Sequence, residues 1–300
     1  MAATDALLQR IPLADWRAGG HTRFRFRGHS IFTRSAGAAD APVLLLIHGF
    51  PTASWDWAAL WPALARTHRL LTLDLLGFGF SAKPRGHAYS VIEQAGLCEA
   101  LLRDHGVREY RVLAHDFGDT VAQELLARRS DGGDRPQLDG VVFLNGGLFP
   151  ETHRPAFVQR LLRSPLGPLV ARAMKQSRFD ANMRAIAGRT PPDRELLDGH
   201  WQLIEANDGR AVMPRLIRYL DERRTHRARW VGALESSPVP IALIAGLDDP
   251  ISGAHMVARW RELLPHAPVV ELPGVGHYPQ CEAPAAVLEA WHSLGAGPGP

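Results

Sequence analysis

Residues Val112–Gln123 read VLAHDFGDTVAQ: an apolar run, then His115, Asp116, Phe117 and Gly118, then a helical pattern. A short apolar run without alternation fits a strand buried on both faces. The segment therefore sets a carboxylate where a buried strand turns into a helix. The same design recurs outward from it. VLLLIHG (Val43 to Gly49), LLTLDLLG (Leu70 to Gly77), GVVFLNGG (Gly140 to Gly147) and VPIALIAG (Val239 to Gly246) are apolar runs that stop at a polar turn. Helical patterns lie between them, as in SVIEQAGLCEALLRDHG (Ser90 to Gly106) and DTVAQELLARR (Asp119 to Arg129). Strand and helix in alternation predict an α/β fold with a mostly parallel sheet covered by helices on both faces. Before the first run, HTRFRFRGHSIF predicts a hairpin about Gly28, with Phe24 and Phe26 inward and Arg23, Arg25 and Arg27 in water. An antiparallel hairpin there would make a common sheet edge.

The chain has 300 residues, 46% hydrophobic and 22% charged, with a formal charge of +3. Such a composition builds a sizeable core and excludes a disordered chain. The small positive excess, nearly all arginine, is not read as nucleic-acid binding. Cys98 and Cys281 sit in no metal spacing, so a reducing compartment is expected. No stretch reaches about 18 unbroken apolar residues, so no membrane span is expected. The start MAATDALLQR lacks a signal-peptide pattern, and the expected location is cytoplasmic. The tail GAGPGP, Gly295 to Pro300, is expected to fray. No P-loop, dinucleotide fingerprint or metal spacing stands out, so no cofactor is expected.

From about Glu151 to Trp230 no buried-strand run occurs, only helical periodicity broken by SPLGP and GRTPPD. The expected organisation is a core from residues 1–150 and 233–300, with a helical cap, 151–232, inserted in it. Ligands bind α/β sheets at the carboxyl ends of the strands, so a cap there would close a pocket.

Ala114-His115-Asp116-Phe117-Gly118 has the small-x-nucleophile-x-small form of a nucleophile elbow, with Asp in the usual place of Ser. The small residues let strand and helix approach closely, and the helix N-terminus stabilises an anion. The plainer reading of Asp116 is an N-cap. Nucleophile, acid and base should follow in that chain order, each at a strand end. LDDP after VPIALIAG offers Asp248 and Asp249, and PGVGHYP after PVVEL offers His277. His115 reads as packing beside the elbow and His48 as a loop brace.

Together HGFP (His48 to Pro51), DLLGFGFSAKP (Asp74 to Pro84), the Asp elbow, GLDDP and GHYP resemble the α/β-hydrolase superfamily. Within it the chain is similar to the aspartate-nucleophile branch of epoxide hydrolases and haloalkane dehalogenases. That resemblance implies Asp116 as nucleophile and His277 as base. It selects Asp249, three residues after the strand-end glycine and before Pro, over Asp248. It also implies oxyanion donors in the backbone N–H groups of Phe50 and Phe117, each contributing ~3 kcal/mol.

A carboxylate is already ionised and attacks electrophilic carbon without a base. An alkyl ester on Asp116 would result, hydrolysed by water that His277 activates. The expected partner is a small apolar electrophile. Haloalkane dehalogenases hold halide with side-chain N–H donors at positions where this chain has Phe50 and Phe117, which disfavours dehalogenation. Epoxide hydrolases use two cap tyrosines. Tyr219 matches the second, its plainer reading being a half-buried helix residue, while Glu151 to His200 contains no tyrosine for the first. His153, in FPETHRP, is the residue that could take its place. RRTHRARW (Arg223 to Trp230) reads as a solvated helix face, Trp55 and Trp57 as packing, and Asp119 as compensation of the helix dipole. The competing readings are a dehalogenase-type hydrolase, a non-catalytic ligand-binding protein of the same fold, and ester hydrolysis with Asp116 as a general base.

Overall fold

The computed structural model describes residues 8–295. The reading of the first seven residues and of the tail from 296 onward lies outside the described residues. The hairpin forms as β1 (Arg25–Phe26) and β2 (His29–Ser30), with Phe24 and Phe26 half-buried and the three arginines exposed. It is a separate two-stranded ribbon and not the sheet edge. The edge is β3 (Thr33–Ala36), which pairs antiparallel with β5 (Arg69–Leu73).

The seven-stranded sheet has the order β3-β5-β4-β6-β7-β8-β9, all parallel after the β3–β5 pair. Its further strands are β4 (Val43–Ile47), β6 (Glu109–His115), β7 (Gln137–Leu144), β8 (Ile241–Gly246) and β9 (Val269–Leu272). Leu45 and Ile47 face one hydrophobic cluster while Leu44 and Leu46 face another across the sheet. Val112 and Ala114 likewise oppose Leu113. Both faces are covered, so the strands need no polar alternation, and each fully buried Leu contributes roughly 2 kcal/mol.

Helix α1 (Val91–Asp104) opens on Ser90, whose hydroxyl accepts from Glu93 N at 3.1 Å. Helix α2 (Phe117–Asp131) follows β6 directly. Among the described residues no strand falls between β7 and β8. That interval holds α3 (Phe157–Arg163), α4 (Gly167–Ala173), α5 (Gln176–Ile186), α6 (Arg194–Glu205), α7 (Met213–Leu216), α8 (Tyr219–Thr225) and α9 (Arg227–Glu235). The last of these packs on α2: Trp230 Nε1 and Arg229 Nε both donate to Glu124 Oε2 at 2.8 Å. A break at residue 232 would therefore cut a helix that lies in the layer beside the sheet. Among the described residues no helix is long and apolar enough to cross a membrane.

Candidate active site

Asp116 stands between β6 and α2 with φ +46° and ψ −102°, a conformation that non-glycine residues rarely adopt. The elbow needs glycine at 118, where a Cβ would lie 2.4 Å from the Ile47 carbonyl oxygen. The carboxyl group is 1% exposed, and its two oxygens differ. Oδ2 accepts from Phe50 N at 3.0 Å, while Oδ1 has no hydrogen-bond partner and lies 3.7 Å from Arg223 Nη2. Burial alone would raise its pKa. The nearby His277, Arg223 and His115, with the Phe50 N–H, outweigh that and hold it below the ordinary carboxylate range. Asp116 is ionised at neutral pH.

His277 follows β9, and Asp249 follows β8. Burial opposes the charge on His277, but Asp249 and then Asp116 raise its pKa to about 9. Its Nδ1 donates to Asp249 Oδ2 at 2.8 Å. That same oxygen accepts from Ser252 Oγ at 2.7 Å and Asn145 Nδ2 at 3.0 Å, and Asp249 Oδ1 accepts from Ile251 N at 2.7 Å. Against the opposing effect of burial, His277, Ser252 and the Ile251 N–H pull Asp249 down to about 2. Asp248 turns away and accepts from Gly274 N at 3.1 Å. Asn145, at the end of β7, also accepts from Gly246 N at 2.7 Å, so it ties two strand ends to the Asp249 carboxylate. Within GVVFLNGG it reads only as a turn residue.

The His277 loop is fastened to the end of α5. His277 N donates to Ile186 O at 2.9 Å and Arg189 N to Gly274 O at 2.7 Å. Gly188 N and Gly276 N both donate to Glu282 Oε2 at 2.8 Å, and Tyr278 N to Glu282 Oε1 at 2.9 Å.

Tyr219 is 1% exposed, its ring 4.8 Å from that of Phe117 and 6.1 Å from that of Phe50. Its hydroxyl has no partner, and burial beside Asp116 pushes it above the ordinary phenol range. Arg223 corrects the reading of RRTHRARW as a solvated face. It is 2% exposed, its Nε donates to Thr120 Oγ1 at 2.7 Å, and its Nη2 donates to Asp116 O at 3.0 Å. One residue of a charged run is thus turned inward by contacts with the elbow, which helical periodicity cannot reveal. Asp119 also departs from its expected role. It is fully buried with neither oxygen hydrogen-bonded, and burial together with Asp116 raises its pKa well above the usual range. Burial and the Asp116 charge thus oppose the ionised form that dipole compensation needs. His153 lies here too, lowered to about 3 by burial and by Arg223.

The two remaining histidines brace. His115 Nε2 lies 2.7 Å from His277 O. His48 Nε2 accepts from Leu75 N at 3.0 Å, which leaves Nδ1 to donate to Gly49 O at 2.8 Å. Trp55 and Trp57 are buried in the core. Next to the elbow, Phe50, Phe179, Met183, Met213, His277 and Tyr278 line an apolar cavity of about 70 Å³. A larger cavity, about 480 Å³, opens at the opposite ends of the strands near Asp139, Pro240 and Pro265, away from every group above. Among the described residues Asp56, His200 and Cys281 could converge on a metal ion. Asp56 is already engaged, accepting from Thr52 Oγ1 at 2.5 Å and lying 3.1 Å from His200 Nε2. Both cysteines are free thiols. The geometry thus sets an ionised carboxylate in a rare backbone conformation near an imidazole that is fixed by a second carboxylate and lines an apolar cavity.

A family model for the alpha/beta hydrolase fold matches residues 42–284. Over 291 residues the chain is 41% identical to the mesoderm-specific transcript protein of Mus musculus, covering 93% of this chain and 86% of that protein. It is 42% identical over 281 residues to the putative hydrolase LipZ of Mycobacterium tuberculosis, covering 93% and 96% respectively. A solved structure of the haloalkane dehalogenase DbeA-M1 loop variant from Bradyrhizobium elkanii has a TM-score of 0.74 at 24% identity, covering 92% of this chain and 97% of that one.

Proposed function

Because the chain belongs to the α/β-hydrolase fold family, we propose that it is a cofactor-free hydrolase whose Asp116 attacks the electrophilic carbon of an epoxide. The observation that carries this reading is the inequality of the two Asp116 oxygens. Oδ2 is held by the Phe50 N–H and Oδ1 is free of hydrogen bonds. Oδ1 is the attacking atom: it bonds to carbon while the C–O bond of the ring breaks and its electron pair goes to oxygen. Tyr219 donates its hydrogen bond, and then its proton, to that alkoxide, a base strong enough to take it. Oδ2 becomes the ester carbonyl oxygen.

Water then adds to the ester carbonyl carbon and gives a proton to His277. The negative charge that forms on Oδ2 meets the Phe50 N–H already in place, with Phe117 N as the second donor. In the resting protein His277 is protonated, and Asp116 is one cause. Alkylation removes that negative charge, so the imidazole gives its resting proton, by way of solvent, to the Tyr219 phenolate and is free to act as the base. The carbonyl carbon then releases the diol oxygen, which takes the proton back from His277, and the freed Asp116 carboxyl reprotonates the imidazole as it ionises.

The test is intact-protein mass after incubating His277→Gln with an epoxide and haloalkane panel. Asp116 should gain the whole substrate from an epoxide, and only the alkyl portion from a haloalkane, which would assign the dehalogenase reading instead. Asp116→Asn should gain nothing at early times. Wild-type turnover without an adduct in His277→Gln, and with full rate in Asp116→Asn, would falsify the nucleophile assignment.

A further inference from the structure

We propose that the outer face of α3 and α4 docks on the surface of an anionic lipid bilayer. Phe157, Leu166 and Leu169 are 59%, 60% and 66% exposed, whereas Val158, Leu162 and Met174 from the same stretch line the cavity beside His277. A helix over a core normally turns polar residues outward. Here apolar side chains occupy both sides, and the outward three stand in solvent. The charges are equally one-sided. The stretch 152–179 holds Arg154, Arg160, Arg163, Arg172, Lys175 and Arg178 and no Asp or Glu, in a chain whose formal charge is only +3. All of these cations are exposed, and among the described residues only Arg163 of them has a carboxylate partner, Asp221 at 2.8 Å. The Arg160 guanidinium lies 5.9 Å from the centre of the Phe157 ring, so charge and apolar surface are interleaved.

This combination selects its occupant. A second copy of the chain would set cations against cations across a two-fold interface. Nucleic acid would answer the arginines but leave Phe157, Leu166 and Leu169 without apolar partners. A bilayer with anionic headgroups answers both: its acyl chains receive the apolar side chains and its phosphates the cations. With seven residues each, α3 and α4 are too short to cross a membrane, so they would lie in the plane of its interface. One side of the helices then faces lipid and the other faces the cavity. An apolar guest would enter from the acyl layer and not from water, and that step alone rests on the hydrolase reading above.

Docking is read by flotation of the full chain with vesicles, either of phosphatidylcholine alone or of equal parts phosphatidylcholine and phosphatidylglycerol. Wild type should bind the mixed vesicles at least about tenfold more tightly than phosphatidylcholine, and less tightly as salt rises. Phe157→Ser/Leu166→Ser/Leu169→Ser should weaken binding to the mixed vesicles by about tenfold or more. Arg160→Gln/Arg172→Gln/Lys175→Gln should erase the preference between the two vesicles, whereas Arg66→Gln/Arg103→Gln/Arg108→Gln, which removes exposed cations elsewhere, should keep it. All the substituted side chains are exposed, so each variant should keep the wild-type thermal midpoint, which circular dichroism verifies. No flotation of wild type, or equal flotation of the apolar variant, overturns the proposal. A wild-type dimer that the apolar variant dissociates, without flotation, overturns it as well and gives the face to a second copy. Asp116→Asn should float like wild type, so docking and chemistry are read apart. An adduct on His277→Gln from a water-soluble epoxide, without flotation, would remove the docking surface and leave the nucleophile assignment standing.

Discussion

Asp248 and Asp249 are neighbours in the chain with the same side chain, and their surroundings separate them. Asp249 collects four donors, among them His277 Nδ1 at 2.8 Å, whereas Asp248 accepts only from the backbone at Gly274. Removing the negative charge from Asp249 leaves His277 poorly oriented and harder to protonate. Asp249→Asn should therefore slow decay of the ester on Asp116 by on the order of a hundredfold or more. Asp248→Asn keeps an oxygen for Gly274 and should change that decay little. Intact mass in single-turnover experiments checks both, and the opposite pattern would reverse the assignment. The same contrast explains what could be read from residues alone. Asp116, Asp249 and His277 each follow an apolar run, so their place at a strand end is written locally. Asn145 and Arg223 act through partners that only the folded chain brings near.

At the scale of elements, the strands were legible because burial on both faces leaves uninterrupted apolar runs such as VLLLI. The helices between β7 and β8 were legible as a gap in those runs. Their membership was not, because α9 leaves the others through the Trp230 and Arg229 bonds to Glu124, which no periodicity announces. Two glycines separate close approach from mere flexibility. A Cβ at Gly118 meets backbone at 2.4 Å, from Ile47 O, while one at Gly232 in α9 meets nothing. Gly118→Ala should destabilise by about 1–3 kcal/mol. Gly232→Ala should stabilise by roughly 0.5–1 kcal/mol. Urea denaturation measures both, and equal effects would remove close packing as the reason for glycine at the elbow.

Across the whole molecule the His277–Asp249 pair links stability to pH. His277 is raised from 6.5 to about 9, so its contribution is complete below pH 6.5 and is lost as pH climbs towards 9. The stability difference between wild type and His277→Gln, read from urea midpoints, should shrink across that interval by up to roughly 3 kcal/mol. A difference that stays flat from pH 6.5 to 9 would contradict the raised value. A last consequence follows from how the His277 loop is fastened. The cavity of about 70 Å³ is lined both by Ile186, at the end of α5, and by His277. Ile186 and Arg189 hold the backbone at His277 and Gly274, and Glu282 grips Gly188 and Gly276 together. A displacement of the α5 end would therefore be transmitted to the backbone that carries the imidazole.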